Sequence, residues 1–191
     1  ITPWNFQIAI PPWKISAALI CGNSLVFKPS SDTPLCAIEF VRLLTKAGIP
    51  KGVVNLVTGS GLEVGTPMIK HSKVRCVSFT GSVDTGKFIK SNAGLKKVSL
   101  ELGGKNAIII MEDADLELAL EGVLWGAFGT SGQRCTAASR VIIHKKVKKK
   151  FEDMLVKKVL KLRLGSGYLK STDVGPLINK KAVEKVHSYT E

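Results

Sequence analysis

Residues 74–92 read VRCVSFTGSVDTGKFIKSN, a short apolar run that halts at Thr-Gly-Ser and resumes as an amphipathic segment. The run VRCVSF (74–79) predicts a strand, and SVDTGKFIKSN (82–92) predicts a helix opening on a serine. The same unit stands twice before it. SLVFK (24–28) precedes the helical pattern TPLCAIEFVRLLTKAG (33–48), and GVVNLV (52–57) precedes GLEVGTPMIKH (61–71). Strands alternating with helices at this spacing require crossover connections, so the expectation is an α/β fold with a parallel sheet and helices on both faces. KKVSLEL (96–102) and KNAIIIM (105–111) follow as strands around ELGGK. A domain boundary is placed at Gly103-Gly104, where two glycines interrupt the strand pattern, dividing the chain into 1–103 and 104–191. Beyond it come a helix near 115–128, a strand at 140–144, a basic helix within 144–165, a loop and a last helix.

Composition excludes several classes of function. The chain has 191 residues, 45% of them hydrophobic, enough for a sizeable core and contrary to disorder. The net charge of +13 is concentrated in HKKVKKKFEDMLVKKVLKLRLG (144–165). There Val147, Phe151, Met154, Leu155, Val159 and Leu162 recur at helical spacing, so the lysines are the solvated face of an amphipathic helix. No aromatics interleave with them to stack bases, so no nucleic-acid partner is expected. No apolar run approaches a membrane span, and no membrane association is expected. The four cysteines, Cys21, Cys36, Cys76 and Cys135, form no CxxC or Cys/His cluster, which argues against a disulfide scaffold and against a metal site. Cys21, Cys36 and Cys76 lie in apolar runs and are expected to be buried. A reducing, cytoplasmic setting fits this usage.

Three loops draw the chemistry. TGSGLEVG (58–65) and FTGSVDTG (79–86) each lead from a strand into a helix through Gly-Ser, the arrangement that offers unpaired N–H groups to an anion. Ser82 is equally an ordinary N-cap in a tight turn. FGTSGQRCTAASR (128–140) holds the lone Cys135 among small residues, directly after Arg134.

TPWNF (2–6), FKPSSDTP (27–34), FTGSVDTG (79–86), LELGGKNAIII (100–110) and GQRCTA (132–137), in that order and spacing, resemble the aldehyde dehydrogenase superfamily. The resemblance covers essentially the whole chain. It implies a Rossmann-like, dinucleotide-binding first part (1–103) leading into the start of a second α/β catalytic domain (104–191). It also implies NAD(P)-dependent oxidation of an aldehyde to a carboxylic acid. Cys135 is then the nucleophile that forms a thiohemiacetal and, after hydride loss, a thioester. Asn5, with the Cys135 backbone N–H, would stabilise the developing oxyanion. Glu101 would be the general base that activates the hydrolytic water, and its presence favours hydrolysis over transfer to coenzyme A.

The resemblance assigns cofactor contacts to Trp4, Lys28, Ser31, Gly61, Gly81 and Ser82, and an apolar aldehyde tunnel to Phe6, Ile10 and Trp13. Arg134 would either pair with an anionic aldehyde or serve as a structural arginine bonded to nearby carbonyls. NAD-specific relatives carry a glutamate three residues after the lysine, where this chain has Ser31. NADP is therefore favoured over NAD, with Asp32 as the reservation. The family's members are much longer, so the chain reads as a central fragment of a homo-oligomeric enzyme. Alone it is expected to be inactive, or to act only as a dinucleotide-binding module.

Overall fold

The structure, a computed structural model, describes residues 1–189, and its backbone separates into two units, Ile1–Gly103 and the chain from Gly104 onward. The first unit runs α1 (Ile10–Ile20), β1 (Leu25–Phe27), α2 (Pro34–Lys46), β2 (Val54–Leu56), a π-helical turn (Gly61–Gly65), α3 (Thr66–Lys70), β3 (Cys76–Gly81), α4 (Val83–Asn92) and β4 (Lys97–Leu102). All strand pairs are parallel: β1 with β2 and β3 with β4.

The one continuous sheet expected from the alternation appears as separate two-stranded ladders, and residues 1–2 join the two ladders of this unit. Ile1 N donates to Ser78 O (2.8 Å), Thr80 N donates to Ile1 O (3.1 Å), and Thr2 N donates to Lys28 O (3.1 Å). Ile1 thus pairs with β3 in parallel fashion while Thr2 reaches the end of β1. The lateral order is β2, β1, residues 1–2, β3, β4, with every carboxyl end on one edge.

Alternation along the strands then sorts side chains to two faces. Phe27 packs with Ile15 of α1 and Ala37 of α2. On the opposite face Val77 and Phe79 pack with Ile69 of α3 and Ile89 of α4. Helix α1 was missing from the sequence-based expectation; it opens on two prolines at its first turn, where a missing N–H costs nothing.

The second unit comprises β5 (Asn106–Ile110), α5 (Leu116–Phe128), β6 (Ala138–Ile143), α6 (Lys145–Val159) and α7 (Lys180–His187). Strands β5 and β6 are parallel, and Ile110, Leu120, Val123 and Phe151 form the core between them and the helices. Asp115 caps α5, its carboxylate accepting from Glu117 N and Leu118 N. Phe151 is fully buried with Val147, Met154 and Leu155 packed around the same core, so α6 turns its lysines outward. Among the described residues no helix is long and apolar enough to cross a membrane, and no group of three or more His, Cys, Asp or Glu is placed to hold a metal ion.

The cysteines correct one expectation. All four are free, Cys21 and Cys76 are exposed, and Cys36 is only half-buried. Cys21 caps the C-terminus of α1, and Cys76 opens β3 on the face opposite Val77. An apolar run does not put each of its members on the buried face.

Candidate active site

In the first unit the carboxyl edge of the sheet collects the residues singled out from sequence. Lys28 follows β1, Ser31 lies in the next turn, Gly61 opens the π-helical turn after β2, Gly81 ends β3, Ser82 caps α4, and Glu101 lies one residue before the end of β4. Residues 1–2 run between β1 and β3, so Trp4 and Asn5 emerge at the same edge; Thr33 Oγ1 donates to Trp4 O (3.5 Å). Crevices beyond the carboxyl ends of parallel strands are where such sheets bind ligands.

Each side chain is held locally. Ser82 Oγ accepts from Thr85 N (3.2 Å), so the helix N-terminus is closed by its own cap. A Cβ on Gly81 would stand 2.5 Å from Phe79 Cζ, whereas one on Gly61 would meet nothing within 4 Å. Gly81 is thus required by the chain's own packing, and Gly61 leaves open space. Lys28 is 5% exposed, its Nζ donating to Pro29 O (2.9 Å) and its stem lying along Gly65; burial lowers its pKa. Ser31 Oγ donates to Gly59 O (2.9 Å), tying the 28–33 turn to the loop after β2. The Ser31 hydroxyl proton is thus already engaged.

Register places Thr80 opposite Glu101 and Ser78 opposite Ser99. These four make a polar face on β3–β4, and α1 lies over it: Lys14 Nζ donates to Ser78 Oγ (2.8 Å). Burial lowers the pKa of Lys14 and the charge of Glu101 raises it, which puts ammonium and carboxylate in the same field. Thr80 is 8% exposed, and its Oγ1 has no hydrogen-bond partner among the described residues. Lys14 and Thr80 were not found from sequence. Their signal was the polar alternation in SFTGS and a lysine four residues after Ile10, legible only once α1 is known to lie on this strand pair.

The residues expected to face the aldehyde divide. Phe6 holds a left-handed backbone (φ 50°), its carbonyl accepting from Ala9 N and Ile10 N. A bulky residue there is strained and held by its surroundings. Phe6 and Trp13 are exposed, at 40% and 68%. Ile10, at 6%, turns into the core and offers no surface to a substrate.

In the second unit Cys135 is exposed on the turn Arg134–Ala137, closed by Ala137 N donating to Arg134 O (3.1 Å). The approach to it is unusual. Thr130 and Ser131 both adopt φ 55° and Gly132 φ 68°, three successive left-handed residues. Ser131 Oγ donates to Gly175 O (2.9 Å), and Gln133 Oε1 accepts from Ile178 N (2.9 Å). Arg134 is 9% exposed. Its guanidinium donates to the carbonyls of Trp125 and Gly126 at the end of α5 and stacks 3.6 Å from the Trp125 ring centroid. Of the two readings of Arg134, this placement supports the structural arginine; an anionic aldehyde would find no free guanidinium there. On the other side Asn106 Nδ2 donates to Cys135 O (2.7 Å) and Ala137 O (3.3 Å).

These elements have close counterparts. Residues 1–191 match the aldehyde dehydrogenase family. The chain belongs to that family. It is similar to a 2,5-dioxopentanoate dehydrogenase of Saccharolobus solfataricus, 46% identical over 195 residues that take in all of this chain and 41% of the relative. It is similar to a betaine aldehyde dehydrogenase of Bacillus subtilis, 43% identical over 193 residues covering all of this chain and 39% of the relative. The crystal structure of betaine aldehyde dehydrogenase from Staphylococcus aureus in complex with NAD+ superimposes with a TM-score of 0.96 at 45% identity, over 99% of this chain and 38% of that one. The fold is therefore the Rossmann-like α/β fold of this family. The chain spans about two fifths of the length of the curated relatives it matches.

Proposed function

We propose that the full-length protein oxidises an aldehyde to a carboxylic acid with a nicotinamide dinucleotide, the first unit binding the dinucleotide and the second supplying the nucleophile. The observation that carries this is the exposed Cys135 on a turn pinned at both ends, in a chain that belongs to the aldehyde dehydrogenase family.

The first unit fits a dinucleotide on its own terms. Gly61 leaves room at the loop after β2, Thr80 keeps a buried hydroxyl without a partner, and Lys28 holds an ammonium beside a single carbonyl. Gly81 and Ser82 bring the N-terminus of α4 to the same edge, where N–H groups and the helix dipole favour a pyrophosphate. Trp4 would lie close to the nicotinamide end. When bound, the nicotinamide supplies the hydride acceptor.

The chain's own groups do the rest. The Cys135 thiolate attacks the carbonyl carbon, forming a C–S bond, while the carbonyl oxygen takes up the electron pair. The Asn5 amide and the Cys135 N–H stabilise that oxyanion. Loss of hydride leaves a thioester on Cys135. Glu101 takes a proton from water as the water attacks the acyl carbon, and the C–S bond breaks to return the thiolate and release the acid. Phe6 and Trp13 give the aldehyde an apolar approach.

NADP is the preferred cofactor in this reading, with acceptance of both cofactors as the second. Ser31 places no carboxylate where a 2′-phosphate would sit, and Lys28 supplies a cation nearby. A charge-assisted contact of this kind is worth about 1.5–3 kcal/mol. The proposal is tested in the full-length protein with Cys135→Ala and Ser31→Glu. The first variant should lose dehydrogenase activity while retaining dinucleotide binding, and the second should shift kcat/KM toward NAD. Activity of Cys135→Ala within a few-fold of wild type overturns the nucleophile; a wild type favouring NAD tenfold overturns the cofactor preference.

A further inference from the structure

We propose that Asn106 is a positioning residue for the nucleophile, its side-chain amide fixing the Cys135–Thr136 and Ala137–Ala138 peptide planes so that Cys135 presents its thiol and its N–H in one orientation. The inference rests on the reading of Cys135 as nucleophile. Asn106 lies 29 residues from Cys135 in sequence, and its single amide nitrogen reaches two carbonyls of the turn, at Cys135 (2.7 Å) and Ala137 (3.3 Å). An amide nitrogen carries two protons, so both contacts are served by one group.

The anchor is itself held. Asn106 opens β5 and pairs with Ala138, the first residue of β6, and the register shifts immediately afterwards, between Asn106 and Ala107. The shift leaves an extra residue on β6, because Ala107 pairs with Arg140. Such an irregularity re-aims the chain next to it, here the turn that leads out of Cys135. Arg140 closes the arrangement from the far side, its Nε and Nη2 donating to Lys105 O (3.1 and 2.7 Å), so the residue before Asn106 is also tied down.

The turn is therefore clamped asymmetrically. On the N-terminal side Arg134 is buried at the end of α5. On the C-terminal side the contacts are the turn's own hydrogen bond and Asn106. Removing the amide frees the Cys135 and Ala137 carbonyls and with them the C-terminal anchorage that holds the whole of Cys135, thiol and N–H together, in place. Chemistry that needs both groups aimed at one carbonyl carbon and oxygen is sensitive to small loss of alignment. Asn106 touches no reacting atom in this account, and its effect passes entirely through the turn.

The test uses the full-length protein with Asn106→Ala and Asn106→Asp, the latter keeping the shape but replacing the donor by a carboxylate that faces two carbonyls. Pre-steady-state formation of reduced cofactor is followed, together with cofactor Kd and aldehyde KM. The expected result is a burst rate slowed about tenfold or more in both variants, more in Asn106→Asp, with burst amplitude, Kd and KM within about twofold of wild type. A residue that merely supported folding would lower the amplitude, through loss of active molecules, and leave the rate unchanged; that result overturns the proposal. So does a wild-type burst rate in both variants. If Cys135→Ala proves active, it is the nucleophile reading that fails; if Cys135 is essential and Asn106→Ala is wild type, only the present inference fails.

Discussion

Replacing Arg134 by methionine should destabilise the second unit and slow the enzyme on all aldehydes alike. The guanidinium is 9% exposed, donates to the carbonyls of Trp125 and Gly126, and stacks 3.6 Å from the Trp125 ring centroid. These carbonyls belong to the last turn of α5, where a cation also meets the negative end of the helix dipole. Hydrogen bonds from a charged donor contribute about 1.5–3 kcal/mol, and a cation over an aromatic ring about 0.5–2 kcal/mol. Arg134 Nε has no partner among the described residues, which offsets part of this. Methionine recovers some packing, so the loss should be about 2–4 kcal/mol. Arg134→Lys should recover less than half, because an ammonium neither forks across two carbonyls nor stacks flat. The assay is urea denaturation of the full-length protein followed by tryptophan fluorescence, with kcat/KM measured in parallel on an anionic and a neutral aldehyde. Stability within about 0.5 kcal/mol of wild type, or a selective loss on the anionic substrate, would refute the reasoning and return Arg134 to the aldehyde.

Two glycines should separate packing from ligand approach. Gly81→Ala pushes a methyl to 2.5 Å from the ring of the buried Phe79 and should cost about 1–3 kcal/mol by urea denaturation. Gly61→Ala meets open space, so it should leave stability unchanged while weakening dinucleotide binding by titration; unchanged affinity would remove Gly61 from the cofactor site. The tail carries a pH signature. The side chain and backbone N–H of Arg163 hydrogen-bond Asp173 and lower its carboxyl pKa to about 2. A lowered acid stabilises fully above the ordinary carboxylate range and loses its contribution as pH falls toward 2. Carbon-13 titration of Asp173 should show a midpoint near 2 that rises in Arg163→Met, and a midpoint near 4 in both proteins would contradict the contact.

The parallel α/β architecture was legible because β1, β2 and β3 are each followed by a helix with a turn signal between them, as VRCVSFTGSVDTG shows most plainly. Helix α1 was not, because IPPWKISAALI is apolar on nearly every face and its two prolines obscure a period that burial alone resolves. The pairing of residues 1–2 between β1 and β3 was also hidden, since two residues carry no periodicity. At the candidate site, motif order singled out Cys135, Glu101 and the loops at the carboxyl edge as candidates. Partners brought in by tertiary structure were missed. Lys14 reaches Ser78 from 64 residues away, and Asn106 reaches Cys135 from 29. Arg134 shows the limit of proximity in sequence: it adjoins Cys135 and its side chain serves a helix end. Cys21 and Cys76 show the limit of local hydrophobicity, because position within a strand or at a cap decides which face a side chain takes.

In the proposed reaction an acyl group passes through Cys135. In the full-length protein carrying Glu101→Gln, hydrolysis should stall after hydride transfer. Mixing it with aldehyde and oxidised cofactor, quenching in acid and mapping peptides by mass spectrometry reads the intermediate directly. The account predicts one equivalent of reduced cofactor per functional site and the matching acyl mass on the peptide containing Cys135. Reduced cofactor formed with no acyl adduct, or with the adduct on Cys21, Cys36 or Cys76, would contradict it.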